Sequence, residues 1–134
     1  MTFQLQIVTP DGLAFEGEAE KLSVRTSEGE IGILARHIDY VAPLGMGVAV
    51  ITDAEGQERR AACIGGMVAV HKGKVRLVAT TFEWAEDIDL ERARAAEQRA
   101  REAIAKPGIN ERDMKLAEAR LHRALVRQSV RRGL

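Results

Sequence analysis

Six arginines in the second part of the chain recur at the spacing of a helical face and could bind an anion. Two of them are seven residues apart, and the other four follow at steps of three, four and four residues. At about 3.6 residues per turn, each set would share one face of a helix. Guanidinium groups bind phosphate oxygens in pairs, so two such faces on neighbouring helices could converge on a polyanion. The arginines are Arg92, Arg99, Arg120, Arg123, Arg127 and Arg131.

Residue type alone leaves two other interpretations of these arginines open. Charged side chains on a helix most often form a solvated face that contributes little to stability. The same stripe could also bind an acidic surface of another protein. The acidic residues nearby, Asp113 and Glu118, are too few to neutralise the whole stripe.

The remaining chemistry-bearing residues predict no catalytic or metal site. His37, His71 and His122 are scattered, without a second ligand at metal-binding spacing. Cys63 is the only cysteine, so it forms no internal disulfide, which fits a reducing compartment, and its apolar strand predicts an inert thiol. Gly65-Gly66 lacks the lysine and spacing of a phosphate-binding loop, and no nucleophile lies beside a base.

Length and charge restrict the class of protein further. The chain has 134 residues with 20 basic and 20 acidic side chains, and a net charge of zero argues against binding to nucleic acid. No apolar run approaches the roughly 18–20 residues that span a bilayer, and the first residues lack the features of a secretory signal. We therefore expect a soluble, intracellular chain.

The zero net charge conceals two parts of opposite sign. Residues 1–83 carry 8 basic and 11 acidic side chains, a net charge of −3, whereas residues 84–134 carry 12 and 9, a net charge of +3. Such a split indicates parts with different partners. We predict a boundary near residues 83–88, with one domain over 1–86 and a second over 87–134.

The first part has the alternating pattern of β-strands. Phe3, Leu5 and Ile7 alternate with polar residues, and turn signals recur about every 8–12 residues, without a helical period between them. This spacing predicts an antiparallel sandwich or barrel of about eight to ten strands. The pair Gly65-Gly66 within a strand predicts either a bulge or close backbone packing. We expect a docking platform without chemistry of its own.

The second part predicts two helices. Residues 88–105 contain no glycine or proline, and Asp87 or Asp89 could cap the start. Lys106-Pro107-Gly108 then interrupts the helix, and Asn110 with Asp113 resembles a capping box for the next. The short connection makes the pair an antiparallel hairpin. The predicted fold class is therefore α+β, an N-terminal antiparallel β-sandwich followed by a C-terminal two-helix hairpin.

The predicted seam between the two helices is largely alanine. Burial of an alanine methyl contributes about 0.8 kcal/mol, against roughly 1.5–3 kcal/mol for a leucine side chain. A hairpin of this length is marginal in water, so it should depend on the sandwich, a ligand or a partner. The predicted seam residues are Leu90, Ala93, Ala100 and Ile104 on the first helix and Ala117, Leu121, Ala124 and Leu125 on the second.

An ordered set of motifs resembles a known family over essentially the whole chain. The motifs are Val8-Thr9-Pro10-Asp11-Gly12, the run from Thr26 to Leu34 with His37 after it, Gly65-Gly66 followed by Val70, and the run from Glu83 to Asp89. With the terminal hairpin, this set resembles the epsilon subunit of bacterial F-type ATP synthase. Ala35-Arg36 departs from the family, which usually has Pro-Gly before the histidine.

The resemblance implies a non-catalytic rotor subunit of the central stalk. In such proteins the sandwich binds the gamma subunit and the ring of c subunits, and it couples proton-driven rotation to the catalytic head. Here Glu30 and His37 would lie on the ring side. The hairpin can fold against the sandwich or extend toward the catalytic beta and alpha subunits, where it inhibits ATP hydrolysis; Arg120 and Arg131 would bind there. The implied location is peripheral, on the cytoplasmic face of the bacterial plasma membrane.

The resemblance also implies a regulatory ATP site. Some members carry the pattern [IL]-D-x-x-R-A, and residues 88–93 match its fixed positions, namely Ile88, Asp89, Arg92 and Ala93. The other residues associated with that site are Glu83, Arg99, Arg123 and Arg127. In this interpretation the arginines neutralise the triphosphate and Ala93 leaves room for adenine, while Asp89 and Glu83 accept hydrogen bonds from ribose or the adenine amine. No tightly bound cofactor is implied.

Two alternatives stay open. The chain could be a constitutive structural coupler whose hairpin never opens, so that it regulates nothing. It could also be a free-standing nucleotide-binding module outside any large complex. An independent enzyme is disfavoured because no nucleophile or metal set is present in the sequence.

Overall fold

Seven strands, β1 to β7, form the first part of the protein in a computed structural model that describes residues 1–133. A single 3-10 turn, Ala85–Asp87, leads into the helices α1 and α2. This order of elements confirms the α+β class. By compactness the chain divides into a first unit that ends at Trp84, the sandwich, and a second that begins at Ala85, the hairpin. The bounds are β1 Phe3–Thr9, β2 Gly12–Thr26, β3 Gly29–Leu34, β4 Tyr40–Pro43, β5 Met46–Asp53, β6 Glu58–His71, β7 Lys74–Trp84, α1 Leu90–Ile104 and α2 Glu111–Arg132.

The sandwich is a single seven-stranded sheet that closes on itself, because β1 pairs with both β7 and β2. The strand order is β1-β7-β6-β5-β2-β3, and β1 also pairs with β2, while β4 pairs with β6. Every pairing is antiparallel except that of β1 with β7. Alternate residues of each strand point inward, which explains the period of two in the sequence. The largest fully buried side chains of this core are Leu5, Ile7, Leu22, Ile33, Ile51, Leu77, Val24 and Val68.

The prediction of eight to ten strands was wrong, because residues 1–133 form seven. Two of the seven strands are long and continue through glycines: β2 passes through Gly17 and β6 passes through Gly65-Gly66. At Gly66 the backbone has φ +108°, and a Cβ there would collide with the carbonyl oxygen of Val78. The register of β6 against β7 is unchanged across this point, so close backbone packing, rather than a bulge, is the correct alternative.

Side-chain caps begin both helices, as the sequence predicted. The Asp89 carboxylate accepts a hydrogen bond from the backbone N–H of Arg92 (3.1 Å), so α1 begins at Leu90. The Asn110 side chain accepts a hydrogen bond from the N–H of Asp113 (2.8 Å) and donates one to its carboxylate (3.1 Å). These bonds satisfy backbone donors that have no partner within the helix, and they hold the two helix starts in place.

Alanines occupy the buried positions along the predicted helix seam. Ala93 and Ala100 are buried on α1, and Ala117 and Ala124 are buried on α2. The prediction for Leu125 was wrong, because its side chain is 40% exposed. Gln128 lies one turn beyond Ala124 on the same helical face. Its polar side chain is buried, whereas the apolar side chain of Leu125 is not.

Candidate functional site

A cavity of about 400 Å³, the central cavity, lies between α1 and α2 in the middle of the hairpin. Arginines form its charged walls and alanines its floor, because the small side chains leave space between the helix backbones. Among residues 1–133, no acidic side chain lines this cavity. The lining residues are Ala96, Arg99, Ala100, Ala103, Ala117, Arg120, Arg123 and Arg127.

A second cavity of about 260 Å³, the Asp89 cavity, adjoins the first toward the start of α1. Ala96, Arg99 and Arg127 line both cavities, so the two form adjoining parts of one depression. The Asp89 cavity combines a buried apolar side chain, Ile88, with a carboxylate and arginines. Its lining residues are Ile88, Asp89, Arg92, Ala93, Ala96, Arg99 and Arg127.

The arginines of the two cavities concentrate positive charge in this depression. Arg99 and Arg120 are exposed, whereas Arg123 and Arg127 are half-buried. Arg99, Arg120 and Arg123 form no ion pair or side-chain hydrogen bond with another residue in the range 1–133. Their guanidinium donors are therefore available to an anionic ligand, whose phosphate oxygens they would bind in pairs.

A polar link between the helices lies outside the cavities and was missed at the sequence level. The buried Gln128 side-chain amide donates a hydrogen bond to Glu97 (2.7 Å), and Arg101 Nε donates to the same carboxylate (2.8 Å). These two hydrogen bonds lower the pKa of Glu97 below its ordinary value. Gln128 and Glu97 are 31 residues apart. Since their pairing depends on how the helices are aligned, no local sequence signal identifies it.

The structure brings together most of the residues predicted to bind ATP. Seven of the eight line the two cavities. Of these seven, Arg123 lines the central cavity but not the Asp89 cavity. The eighth, Glu83, belongs to β7 in the other compact unit. Arg120, which the sequence assigned to a protein partner, lines the central cavity beside the predicted ATP ligands. Arg131 is exposed in the last turn of α2 and lines neither cavity.

The predicted ring-side residues lie on and after an edge strand of the sandwich. Glu30 is exposed on β3, opposite Arg25 of β2, and the loop after β3 carries His37. His37 Nδ1 lies 2.8 Å from the carbonyl oxygen of Ile38, so this nitrogen donates, and the ring packs edge-on against Tyr40. Leu34 and Ile38 are 56% and 77% exposed. The end of β3 and the loop after it therefore present apolar side chains beside polar ones.

An apolar row crosses the outer face of five strands and was not predicted from the sequence. Its members are neighbours by strand register: Pro43 pairs with Met67, Met67 with Val78, Val78 with Val8, and Val8 with Leu13. All but the half-buried Val8 are exposed. A contiguous exposed apolar surface usually marks an interaction site. We call these five residues the apolar row.

The other candidate groups show no site in the part of the chain that is described. Burial raises the pKa of the Cys63 thiol to about 12, which makes it a poor nucleophile. Within residues 1–133, no group of three or more His, Cys, Asp or Glu side chains could hold a metal ion. None of the described helices is long and apolar enough to cross a membrane.

Comparison with known proteins identifies the class to which this fold and its hairpin belong. Residues 2–85 match the family model of the ATP synthase delta/epsilon chain beta-sandwich domain, and residues 86–130 match that of its long alpha-helix domain. The chain therefore belongs to the ATP synthase delta/epsilon chain family.

Individual relatives agree with this assignment over nearly the whole length. The chain is 43% identical over 129 residues to the ATP synthase epsilon chain of Shouchella clausii, covering 96% of this chain and 94% of the relative. It is also 43% identical to the epsilon chain of Bacillus pumilus, with 96% of both chains covered. The protein is thus similar to epsilon chains, which are accessory rather than catalytic parts of ATP synthase.

Two solved structures share the fold. A chain of the mitochondrial ATP synthase OSCP/F1/c-ring assembly of Euglena gracilis superimposes with a TM-score of 0.81 and 25% identity, covering 90% of this chain and 76% of that one. A chain from the central stalk and c-ring of the Tetrahymena thermophila enzyme has a TM-score of 0.63 and 14% identity, covering 96% and 95%. The second likeness concerns the fold alone.

Proposed function

We propose that this protein is the epsilon subunit of a bacterial F-type ATP synthase, a rotor subunit of the central stalk without catalytic residues of its own. The family assignment over residues 2–130 supports this role. The similar Euglena chain comes from an F1/c-ring assembly, which supports a place next to the c-ring. The proposed location is peripheral, on the cytoplasmic face of the plasma membrane.

The sandwich supplies the docking surfaces in this proposal. The apolar row can bury its side chains against the gamma subunit, since removal of apolar surface from water favours association. Strand β3 and the loop after it, with Glu30 and His37, offer the exposed Leu34 and Ile38 to the c-ring. A rotor subunit needs both attachments, because torque passes from the ring to the stalk through it.

The hairpin supplies a regulatory ATP site, and the single observation that carries this proposal is the pair of adjoining cavities that share Arg99 and Arg127. Adenine and ribose suit the Asp89 cavity, where Ala93 leaves space beside Ile88 and the Asp89 carboxylate can accept hydrogen bonds. The triphosphate suits the part of the central cavity that Arg99, Arg123 and Arg127 line from the two helices. Glu83 stays a predicted contact from the sandwich unit.

ATP bound between the helices would favour the closed hairpin. Only the closed pair presents the arginines of α1 and α2 together, so ATP binds this state better than an extended one and shifts the equilibrium by that difference in affinity. At low ATP the hairpin would extend and bind the catalytic beta and alpha subunits, with Arg120 and Arg131 on acidic surfaces. It would then inhibit wasteful hydrolysis.

Calorimetric titration of the full chain with ATP tests the site. We expect binding that weakens about tenfold or more in Arg99→Ala, because a charge-assisted pair of hydrogen bonds is lost. The matched control is Arg131→Ala, an exposed arginine of α2 outside both cavities, which should bind ATP like the unaltered chain. Absence of heat with ATP, or equal weakening in both variants, would refute the ATP site and leave the rotor role standing.

Hydrolysis by the assembled ATP synthase tests regulation separately. Deletion of residues 88–134 should raise the hydrolysis rate at low ATP, since the inhibitory helices are gone. An unchanged rate in the truncated complex would favour the constitutive coupler instead. Failure of the truncated chain to assemble is detected by its absence from the purified complex, and Arg120→Ala with Arg131→Ala then replaces the deletion.

A further inference from the structure

The space between the helices continues beyond the central cavity toward the connection between α1 and α2. A third cavity of about 310 Å³, the turn cavity, shares Ala103, Ala117 and Arg120 with the central cavity. The three cavities therefore form one continuous depression on the hairpin, which we call the hairpin groove. The lining residues on α1 run from Arg92 to Ala103, about 17 Å at 1.5 Å per residue, and the groove continues beyond Ala103 to Lys106.

Positive charge lines the hairpin groove along this whole length. Among its lining residues only two are acidic, and they lie at its two ends: Asp89 in the Asp89 cavity and Asp113 in the turn cavity. Asp113 is already bonded to Asn110. The cationic lining residues, in order toward the turn, are Arg92, Arg99, Arg127, Arg123, Arg120 and Lys106.

This lining favours a phosphate chain over an acidic peptide. An extended peptide needs partners for its own backbone N–H and C=O groups, and the backbone groups in the middle of α1 and α2 are already used within the helices. A linear phosphate chain has no such requirement, because every unit carries charge and acceptor oxygens that guanidinium groups bind directly. The alanine floor also suits a narrow ligand.

Arg120 and Lys106 lie farther along the groove than an ATP molecule in the proposed pose requires. Arg120 lines both the central and the turn cavity, and Lys106 lines only the turn cavity. Building on the proposed nucleotide site, we propose that the hairpin groove binds linear phosphate chains longer than a triphosphate, with Arg120 and Lys106 holding the units beyond the third. Adenosine 5′-tetraphosphate and inorganic polyphosphate share this chemistry.

Titration of the full chain with four ligands distinguishes the two sources. The ligands are ATP, adenosine 5′-tetraphosphate, inorganic tripolyphosphate and a long inorganic polyphosphate. We expect the adenosine tetraphosphate to bind about tenfold tighter than ATP, and the long inorganic chain to bind about tenfold tighter than tripolyphosphate, because one further charge-assisted contact is made in each case.

Variants locate the extra contact. Lys106→Ala and Arg120→Ala should each remove most of the advantage of the longer ligand, and Lys106→Ala should leave ATP binding unchanged. The matched controls, Lys115→Ala and Arg112→Ala, remove exposed cations of α2 that do not line the groove. Equal losses in these controls would indicate only general attraction of anions and would overturn the proposal.

The remaining outcomes separate the two proposals from each other. If ATP binds and the longer ligands gain nothing over their shorter counterparts, the long-chain site is refuted and the ATP site stands. If the long inorganic chain binds at the groove and ATP does not, the ATP site is refuted and the long-chain site stands with inorganic polyphosphate as its ligand. If none of the four ligands binds, both the ATP site and the long-chain site are refuted, and binding to an acidic protein surface is the remaining interpretation of the arginines.

Discussion

The sandwich and the hairpin are stabilised in different ways although they belong to one chain. In the sandwich, large aliphatic side chains such as Leu22, Ile51 and Leu77 are almost completely buried. Between the helices of the hairpin the buried residues include Ala93, Ala100, Ala117 and Ala124. Each alanine methyl contributes about 0.8 kcal/mol, against roughly 1.5–3 kcal/mol for a buried leucine side chain.

This difference suits the two tasks proposed for these regions, a permanent attachment for the sandwich and a movable one for the hairpin. A core of large side chains resists local opening, whereas a short seam of small ones opens at low cost. The same alanines that stabilise the hairpin weakly also leave the space that its arginines surround. Weak packing and the proposed ligand groove therefore have one physical origin, the small volume of the seam residues.

The largest effect should follow from a cavity in the sandwich core. Leu77→Ala should lower the free energy of unfolding of the sandwich by about 2–5 kcal/mol, because it removes buried methyl groups and leaves a void. Denaturant titration measures the loss. The control Val78→Ala, the next residue on β7 and 43% exposed, should change stability by about 0.5 kcal/mol or less. A loss below about 1 kcal/mol for Leu77→Ala would break the contrast between the two regions.

A smaller effect, confined to the hairpin, should follow from a larger side chain in its seam. Ala124→Leu should destabilise the closed helix pair by about 1–3 kcal/mol, because Ala124 is almost completely buried and lines none of the three cavities, so the extra carbons have no space. Hydrogen exchange should become faster in α1 and α2 and stay slow in the strands. Ala95→Leu, on an exposed position of α1, is the matched control and should leave exchange unchanged. Faster exchange in the strands as well would show that the two regions do not open independently.

The smallest effect should come from the polar link between the helices. Gln128→Leu removes the amide that donates to Glu97, so the pKa of Glu97 should rise toward its ordinary value of 4.5. Since a lowered pKa stabilises the folded state above the unfolded pKa, this contribution is lost as the pH falls through the lowered value. NMR titration of the Glu97 side chain measures the shift.

The control for that link is Gln98→Leu, which removes a hydrogen bond between neighbours on the exposed face of α1. The pKa of Glu97 should not respond to it. If the pKa of Glu97 stayed low in Gln128→Leu, the hydrogen bond from Arg101 alone would account for the lowered pKa. The hydrogen bond between the helices would then add nothing to the stability that the alanine seam gives the hairpin.

Local features were predictable because they depend on neighbours in the sequence. The caps at Asp89 and Asn110 and the break at Lys106-Pro107-Gly108 were all found from short-range rules. The strand count was overestimated because the spacing of apolar runs does not show which neighbouring runs belong to one strand, whereas β2 continues through Gly17 and β6 through Gly65-Gly66. A glycine signals conformational freedom, and only its surroundings decide how that freedom is used.

The amino-acid sequence by itself determined the two-part architecture, the family motifs and the arginine-bearing helix faces, because each follows from spacing along a single element. Only the tertiary structure decided which of those faces meet. It placed Arg120 in the central cavity beside Arg99, joined Gln128 to Glu97, and assembled the apolar row from five strands. Such pairings depend on how separate elements are aligned in space, and that alignment is set by the packing of many side chains at once.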